Sequence, residues 1–310
     1  MQQRSQTIQA GQVIDFRPPA LHVRPASARP PAARTRPSGG DGELRVISVA
    51  SGKGGVGKTN VVANLAVALR RHGKKVIVLD ADLALANIDT LLGLHPKATL
   101  RHVLMGECSI ADVLLEGPEG IRIVPAASGF EDLTNLDRGQ RLHLLEEIDR
   151  LEDSFDVLLI DNAAGISSNV LFFTVAAQET MVVTTPEPTS LTDAYALIKV
   201  LSKRYAETDF GVLVNMARSE SEARRAFQHL ARVADRFLNV SLRYEGQVPF
   251  DHELREAVRR QNTVLELAPS APASRAFDFL AEQLVNAATP VRAKGGLQFF
   301  FRRLLEGDRA

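Results

Sequence analysis

Two lysines, one threonine and three aspartates are spaced in this sequence as a phosphate chain and its counter-ion would require. Lys58 and Thr59 close the run Gly52-Lys53-Gly54-Gly55-Val56-Gly57-Lys58-Thr59, which has the spacing G-x-x-x-x-G-K-T. Gly52, Gly54, Gly55 and Gly57 let the backbone curl so that its N–H groups point inward at phosphate oxygens. A helix start behind them adds unpaired N–H groups and a partial positive charge. A lysine at position 58 reaches the β- and γ-phosphates, and the Thr59 hydroxyl can ligate Mg²⁺. Asp80, Asp82 and Asp161 supply acid groups. A strand-end carboxylate beside such a loop holds or orients Mg²⁺ and its waters, the task read for Asp80 and, through water, for Asp161. Asp82 projects past its strand, where an attacking water would sit. Asp80 and Asp82 also suit a plainer task, capping the turn that follows. Lys53 is not needed to cradle one nucleotide, and by itself reads as a solvated charge.

These residues need strands that end at one level and helices that begin there. The apolar run 46–50 precedes the glycine loop and an amphipathic run, 60–71, follows it. Further apolar runs at 76–80, 121–125, 157–161, 180–185, 211–215 and 242–248 read as strands, and 142–151, 191–205 and 221–237 have helical spacing. Asp80 and Asp161 end two of the strands, Asn215 ends a third, and Pro249 follows a fourth. Continuous apolar strands separated by helices predict an α/β fold, a mostly parallel sheet covered on both faces, with ligands at the strands' carboxyl ends. In 187–199 the expected helix opening has Ser190 or Thr189 as its cap.

The ends of the chain differ from its middle. Residues 1–43 are rich in proline, arginine and alanine and read as a disordered arm, with a short apolar island at Val13, Ile14 and Phe16. Residues 44–290 read as the nucleotide-binding domain, and 291–310 as a tether plus an amphipathic helix. On a helical wheel Leu297, Phe300, Phe301, Leu304 and Leu305 share one face, opposite Arg302 and Arg303. Such a helix suits a bilayer interface or a fold-back onto its own domain. Lys+Arg and Asp+Glu both total 37 over 310 residues, so overall charge does not point to nucleic acid. One cysteine, Cys108, excludes a disulfide framework and a multi-cysteine metal site within the chain and fits a reducing cytosol. No apolar run of spanning length and no secretory signal is visible.

The spelling K-G-G-V-G-K-T, with Lys53 after the first glycine, resembles the MinD/ParA family of dimeric P-loop ATPases. That resemblance implies ATP and Mg²⁺ as ligands and a homodimer formed on ATP binding. It implies that Lys53 reaches the partner subunit's phosphates, comparable in role to an arginine finger. The run Asp80-x-Asp82 to Asn87-Ile88-Asp89 resembles the family's first switch, which implies that Asp82 positions the hydrolytic water and Asn87 works at the dimer face. Asp161 followed by Asn162-Ala-Ala-Gly165 resembles the second switch, with Asn162 where the family usually has a hydroxyl residue. By the same match Asn215 and Pro249 hold the adenine. The stretches 124–129, 187–199, 214–217 and the terminal Gly-Leu-Gln-Phe-Phe look like the flagellar-number regulators of this family, the FlhG/FleN group. This implies control of flagellar number and gene activation, an FlhF-type GTPase and a flagellar transcriptional activator as partners, and cytoplasmic residence with reversible association with the inner membrane. The stretch 6–12 departs from the N-terminal peptide of members that stimulate the GTPase.

Other classes are weighed beside this one. A partition ATPase that binds DNA non-specifically would need a basic stripe. Arg224, Arg225, Arg232 and Arg236 are candidates, interrupted by Glu220, Glu222 and Asp235. An ATP-binding module that no longer hydrolyses would be consistent with Asn162. A metabolic P-loop enzyme would need a second substrate site, for which no motif is visible.

Overall fold

The computed structural model describes residues 44–83, 85–127, 136–151 and 154–287. The expected N-terminal arm and C-terminal amphipathic helix lie outside them. Among the described residues eight strands form one sheet: β1 (Arg45–Ser51), β2 (Val76–Ala81), β3 (Leu115–Glu116), β4 (Arg122–Val124), β5 (Val157–Ala164), β6 (Glu179–Thr184), β7 (Asp209–Ala217) and β8 (Ser241–Pro249). Their order is β3-β4-β2-β5-β1-β6-β7-β8. All neighbours are parallel except β3 and β4, an antiparallel edge pair. The α-helices are α1 (Lys58–Arg71), α2 (Ile88–Leu91), α3 (Leu100–Leu104), α4 (Arg138–Asp149), α5 (Ser168–Ala176), α6 (Pro188–Tyr205), α7 (Glu220–Phe237), α8 (His252–Arg259), α9 (Val264–Leu267) and α10 (Pro272–Asn286).

Helices on both faces are why the central strands read as unbroken apolar runs. Every residue of β1 and β2 is buried. Val49, Leu159, Met181, Leu213 and Val248 pack with α1 and α10, where Leu65, Leu69 and Phe277 are fully buried. Ala50, Val182, Val212 and Val214 pack on the opposite side with α5, α6 and α7. Each such aliphatic side chain removed from water contributes roughly 1.5–3 kcal/mol. This two-sided burial makes the strand ends rigid mounts for the loops.

The expected strands and the helices α1, α6 and α7 are present with ends shifted by a few residues, and the helix expected at 142–151 runs instead over Arg138–Asp149. The helix α5 has no signature in the sequence because eight of its nine residues are buried, so no polar stripe reveals a helical period. Nor has β3, which is only two residues long. The start of α6 needs a correction. Neither Ser190 nor Thr189 is its cap. Glu187 is the N-cap position, with proline in the first turn, where the missing N–H costs nothing. The Ser190 hydroxyl is buried and accepts from Thr185 N at 3.0 Å, tying α6 to the end of β6.

Candidate functional site

The glycine loop leaves β1 and turns directly into α1. Gly57 is the N-cap position of α1 at φ 81°, a left-handed conformation that favours glycine. Gly52 is required for another reason: a Cβ there would lie 2.0 Å from the main-chain oxygen of Asp193 in α6. A Cβ at Gly54 would meet its nearest neighbour, Ala164 Cβ, only at 4.0 Å, and at Gly55 it would meet nothing within 4 Å. The loop is therefore packed at its base and open on top, the shape of a phosphate cradle. Val56, the apolar residue within it, is buried.

Lys58 opens α1 and is buried, and its Nζ donates to Asp161 Oδ1 at 2.6 Å. Thr59 follows on the half-buried side of the same turn. Asp161 stands in β5 between Val49 of β1 and Asp80 of β2, in register with both. Two carboxylates thus face each other across neighbouring strands inside the fold. Burial pushes the Asp80 carboxyl up to about 8, the charge of Asp161 adds to this, and hydrogen bonds from the N–H groups of Asp82, Ile88 and Asn87 oppose it. Asp80 accepts those bonds at 3.1, 3.4 and 3.2 Å respectively. Its two oxygens therefore hold the base of the loop that follows β2. Asp82 sits half-buried at the start of that loop and accepts from Leu85 N at 3.1 Å. Both aspartates make the turn-capping bonds that the sequence allowed as their plainer task. Asn87 is exposed, and its side-chain amide donates to Leu85 O.

Asn215 comes to the loop from β7. Its Nδ2 donates to Val56 O at 2.8 Å, its Oδ1 accepts from Met216 N at 2.9 Å, and the residue is 1% exposed. It braces the phosphate loop from beneath, and a Cβ at Gly57 would strike it at 2.5 Å. Pro249 pairs with Ala217 and so sits one strand farther out, at the end of β8.

Lys53 turns away from its own Lys58–Asp161 pair. Its Nζ lies 3.2 Å from Glu187 Oε2 and 3.0 Å from Thr189 Oγ1, at the rim where α6 begins. Glu187 and Thr189, which the sequence shows only as a helix opening, are thus neighbours of Lys53 in the fold. Their position at the end of β6 was legible, but 134 residues separate Glu187 from Lys53 along the chain. Leu85 and Ile166, from the loops after β2 and β5, are 67% and 49% exposed. Asn162 does not face this site. It points to the α5 side of the sheet, where its Nδ2 donates to Ser48 Oγ and Val49 O.

Among the described residues no three His, Cys, Asp or Glu side chains cluster as a metal site. A divalent cation here would take Thr59, Asp161 and the phosphates of the nucleotide itself, the usual arrangement for Mg²⁺. The open cradle, the buried lysine and the strand-end carboxylate fit a nucleotide triphosphate with its magnesium.

Comparison with known proteins agrees with the geometry. Residues 44–210 match the family model described as an AAA domain. The chain is 49% identical over 263 residues to the antiactivator FleN of Pseudomonas aeruginosa, covering 85% of this chain and 94% of that one. Its fold superposes on the septum site-determining protein MinD of Pyrococcus horikoshii, solved in complex with Mg-ADP, with a TM-score of 0.65 and 31% identity over 79% of this chain and 97% of that one. The chain belongs to the MinD/ParA family of P-loop ATPases. Within that family it is of the FleN/FlhG type, since the flagellum site-determining protein YlxH of Helicobacter pylori is also 34% identical over 86% of this chain and 91% of that one. This MinD/ParA member binds ATP and Mg²⁺ and hydrolyses ATP.

Proposed function

We propose that this ATPase is a pairing switch, in which ATP and Mg²⁺ join two copies face to face over their phosphate loops and hydrolysis parts them. The observation that carries the reading is the position of Lys53. Its ammonium sits at the rim on Glu187 and Thr189, away from its own Lys58–Asp161 pair, where a second copy can take it up. Exposed Leu85 and Ile166 beside the cradle support the same face as the one that pairs, because a partner would cover them.

Each residue then has a task. The loop N–H groups from Gly52 to Gly57 and the Lys58 ammonium hold the phosphates. Thr59, Asp80 and Asp161 hold the cation, directly or through its waters, and Asp80 also fixes the loop that carries Asp82 and Asn87. A magnesium ion held there would supply positive charge against the negative charge developing on the phosphoryl group. Asp82 orients the attacking water, Lys53 neutralises phosphate charge in the partner's site, and Asn87 lies at the seam. Asn215 keeps the loop in shape beside the base, and Pro249 frames the base from β8. Residues 44–290 form the ATPase domain in this reading. Residues 1–43 are an arm, and 291–310 a tether with a lipid-facing helix through Leu297, Phe300, Phe301, Leu304 and Leu305. The paired form restrains a flagellar transcriptional activator, answers an FlhF-type GTPase and rests on the inner face of the membrane, so that nucleotide state sets flagellar number and placement.

Light scattering after size exclusion tests the pairing. Asp82→Ala in ATP and Mg²⁺ is expected to elute as a stable dimer, while Lys53→Ala binds an ATP analogue yet stays monomeric and hydrolyses slowly. A monomeric Asp82→Ala protein, or a Lys53→Ala protein that dimerises and turns over like the wild type, ends this reading.

A further inference from the structure

Asn162 is buried to 0% exposure one residue beyond Asp161, on the opposite face of the sheet. Adjacent residues of a strand point to opposite faces, so Asp161 reaches Lys58 while Asn162 reaches the α5 side. Its Nδ2 donates to Ser48 Oγ at 2.8 Å and to Val49 O at 2.9 Å. Ser48 Oγ in turn donates to Thr174 Oγ1 of α5 at 3.3 Å. Ser48 and Thr174 are as deeply buried as Asn162.

These three residues run beneath the phosphate loop and join the elements that carry both ends of one segment. That segment, 163–167, leaves β5 and enters α5. It includes Gly165, whose N–H donates to Ser51 O at 2.9 Å and whose φ is 95°. The β1–β5 ladder changes register here: Val49 pairs with Asp161 but Ser51 with Ala164, so β5 carries one extra residue opposite Ala50. A bulge is a soft place in a ladder and a common device for aiming a side chain near a site. Asn162 sits on that bulge and ties it back to β1. One polar atom of the set, Asn162 Oδ1, is buried without a hydrogen-bond partner. An unmet buried acceptor costs free energy, so a donor that reaches it would be held there.

We infer that Asn162 is a positioning residue for the hydrolysis reaction. Its NH₂ holds the bulge so that Asp161 and Gly165 keep their places relative to the phosphate loop. Its empty Oδ1 is the acceptor that a main-chain N–H of 163–167 takes up when the segment rearranges on the bound nucleotide. A hydroxyl at 162 has one hydrogen and could not donate to Ser48 Oγ and Val49 O together, as the two N–H groups of the Asn162 amide do. The inference rests on the ATPase reading of the site and on the resemblance of Asn162 to Gly165 to the family's second switch.

The test uses the full chain with Asn162→Leu, which keeps the branched shape and removes both donors and the acceptor, and Thr174→Val, which breaks the far end of the thread. Each is read for steady-state hydrolysis, for affinity towards a non-hydrolysable ATP analogue, and for amide hydrogen exchange with and without that analogue. In wild-type protein the analogue is expected to slow exchange across 163–167. In Asn162→Leu that protection is lost and kcat falls about tenfold, as for a slight misplacement of reacting groups, while KM and analogue affinity stay within about twofold. Thr174→Val gives the same pattern in smaller measure. Unchanged protection and unchanged kcat in Asn162→Leu would overturn the inference, as would kcat and affinity falling together. Should Asn162→Leu fail to fold, Thr174→Val decides: wild-type exchange and turnover there overturn the inference. A wild-type protein that binds the analogue but does not hydrolyse ATP would refute the catalytic reading, and the exchange arm would still judge Asn162.

Discussion

At the scale of single residues, the contact with the largest consequence is Lys58 on Asp161. Their side chains are 9% and 2% exposed, so neither charge is well solvated. Removing one partner from a buried pair strands the other, at about 3 kcal/mol or more, whereas removing both can be nearly neutral. Here the stranded Asp161 carboxylate would have only the Asp80 carboxyl across the strands, which burial keeps largely protonated at neutral pH and which cannot replace the lysine's charge. We therefore expect Lys58→Ala to lose about 3 kcal/mol in denaturant unfolding together with ATP binding. Lys58→Ala combined with Asp161→Asn is expected to recover most of the stability and none of the binding. A single variant as stable as the wild type would show that the pair has no structural weight. The identities of Lys58 and Asp161 were legible from their motifs. That they bond to each other was not, since 103 residues separate them.

At the scale of elements, the phosphate loop depends on α6 as much as on β1. The main chain of Asp193 approaches Gly52 so closely that an added Cβ would fall 2.0 Å from its oxygen and 2.2 Å from its carbon. Helix backbone is a poor yielder, so overpacking here must shift α6 or unseat the loop, at typically 1–3 kcal/mol. Gly52→Ala is thus expected to lower the melting temperature and abolish nucleotide binding. Gly54→Ala has open space above it and should melt like the wild type while binding ATP weakly, because its methyl group enters the cradle. Equal melting temperatures for the two variants would contradict the close approach. The four glycines look alike as a sequence motif. Only the helix lying against one of them separates a packing glycine from a ligand-facing glycine.

At the scale of the whole molecule, the described residues include no helix long and apolar enough to cross a membrane, and the proposed lipid contact rests on residues 297–305. One short amphipathic helix binds a bilayer weakly, and two held together bind with the product of local concentration and affinity. Deleting residues 296–310 is therefore expected to leave ATP-dependent dimerisation intact and to abolish co-sedimentation with anionic vesicles, and the full chain should pellet only with ATP. If the truncated protein still pellets, the lipid contact lies elsewhere. The arginines of α7 fit the DNA alternative less well, since Arg224 pairs with Glu220 at 2.7 Å and Arg236 lies over the ring of Phe237.

Sequence alone was enough for every strand but the two-residue β3, for the phosphate loop and for the family, because these rest on local patterns: unbroken apolar runs, a glycine spacing and carboxylates at strand ends. It was enough also to single out Lys53 and Asn162 as unusual. What those two side chains touch was decided only by tertiary structure. Strand alternation turns Asn162 away from the nucleotide, although it follows Asp161 directly. The order β2-β5-β1-β6 brings Asp80, Asp161 and the loop together and sets the start of α6 beside Lys53. Asn215 shows the same division, with an amide at a strand end legible in the chain and its bond to Val56 visible only in the fold. Contacts across a sheet follow strand order, and strand order is a property of the folded chain that no local pattern records.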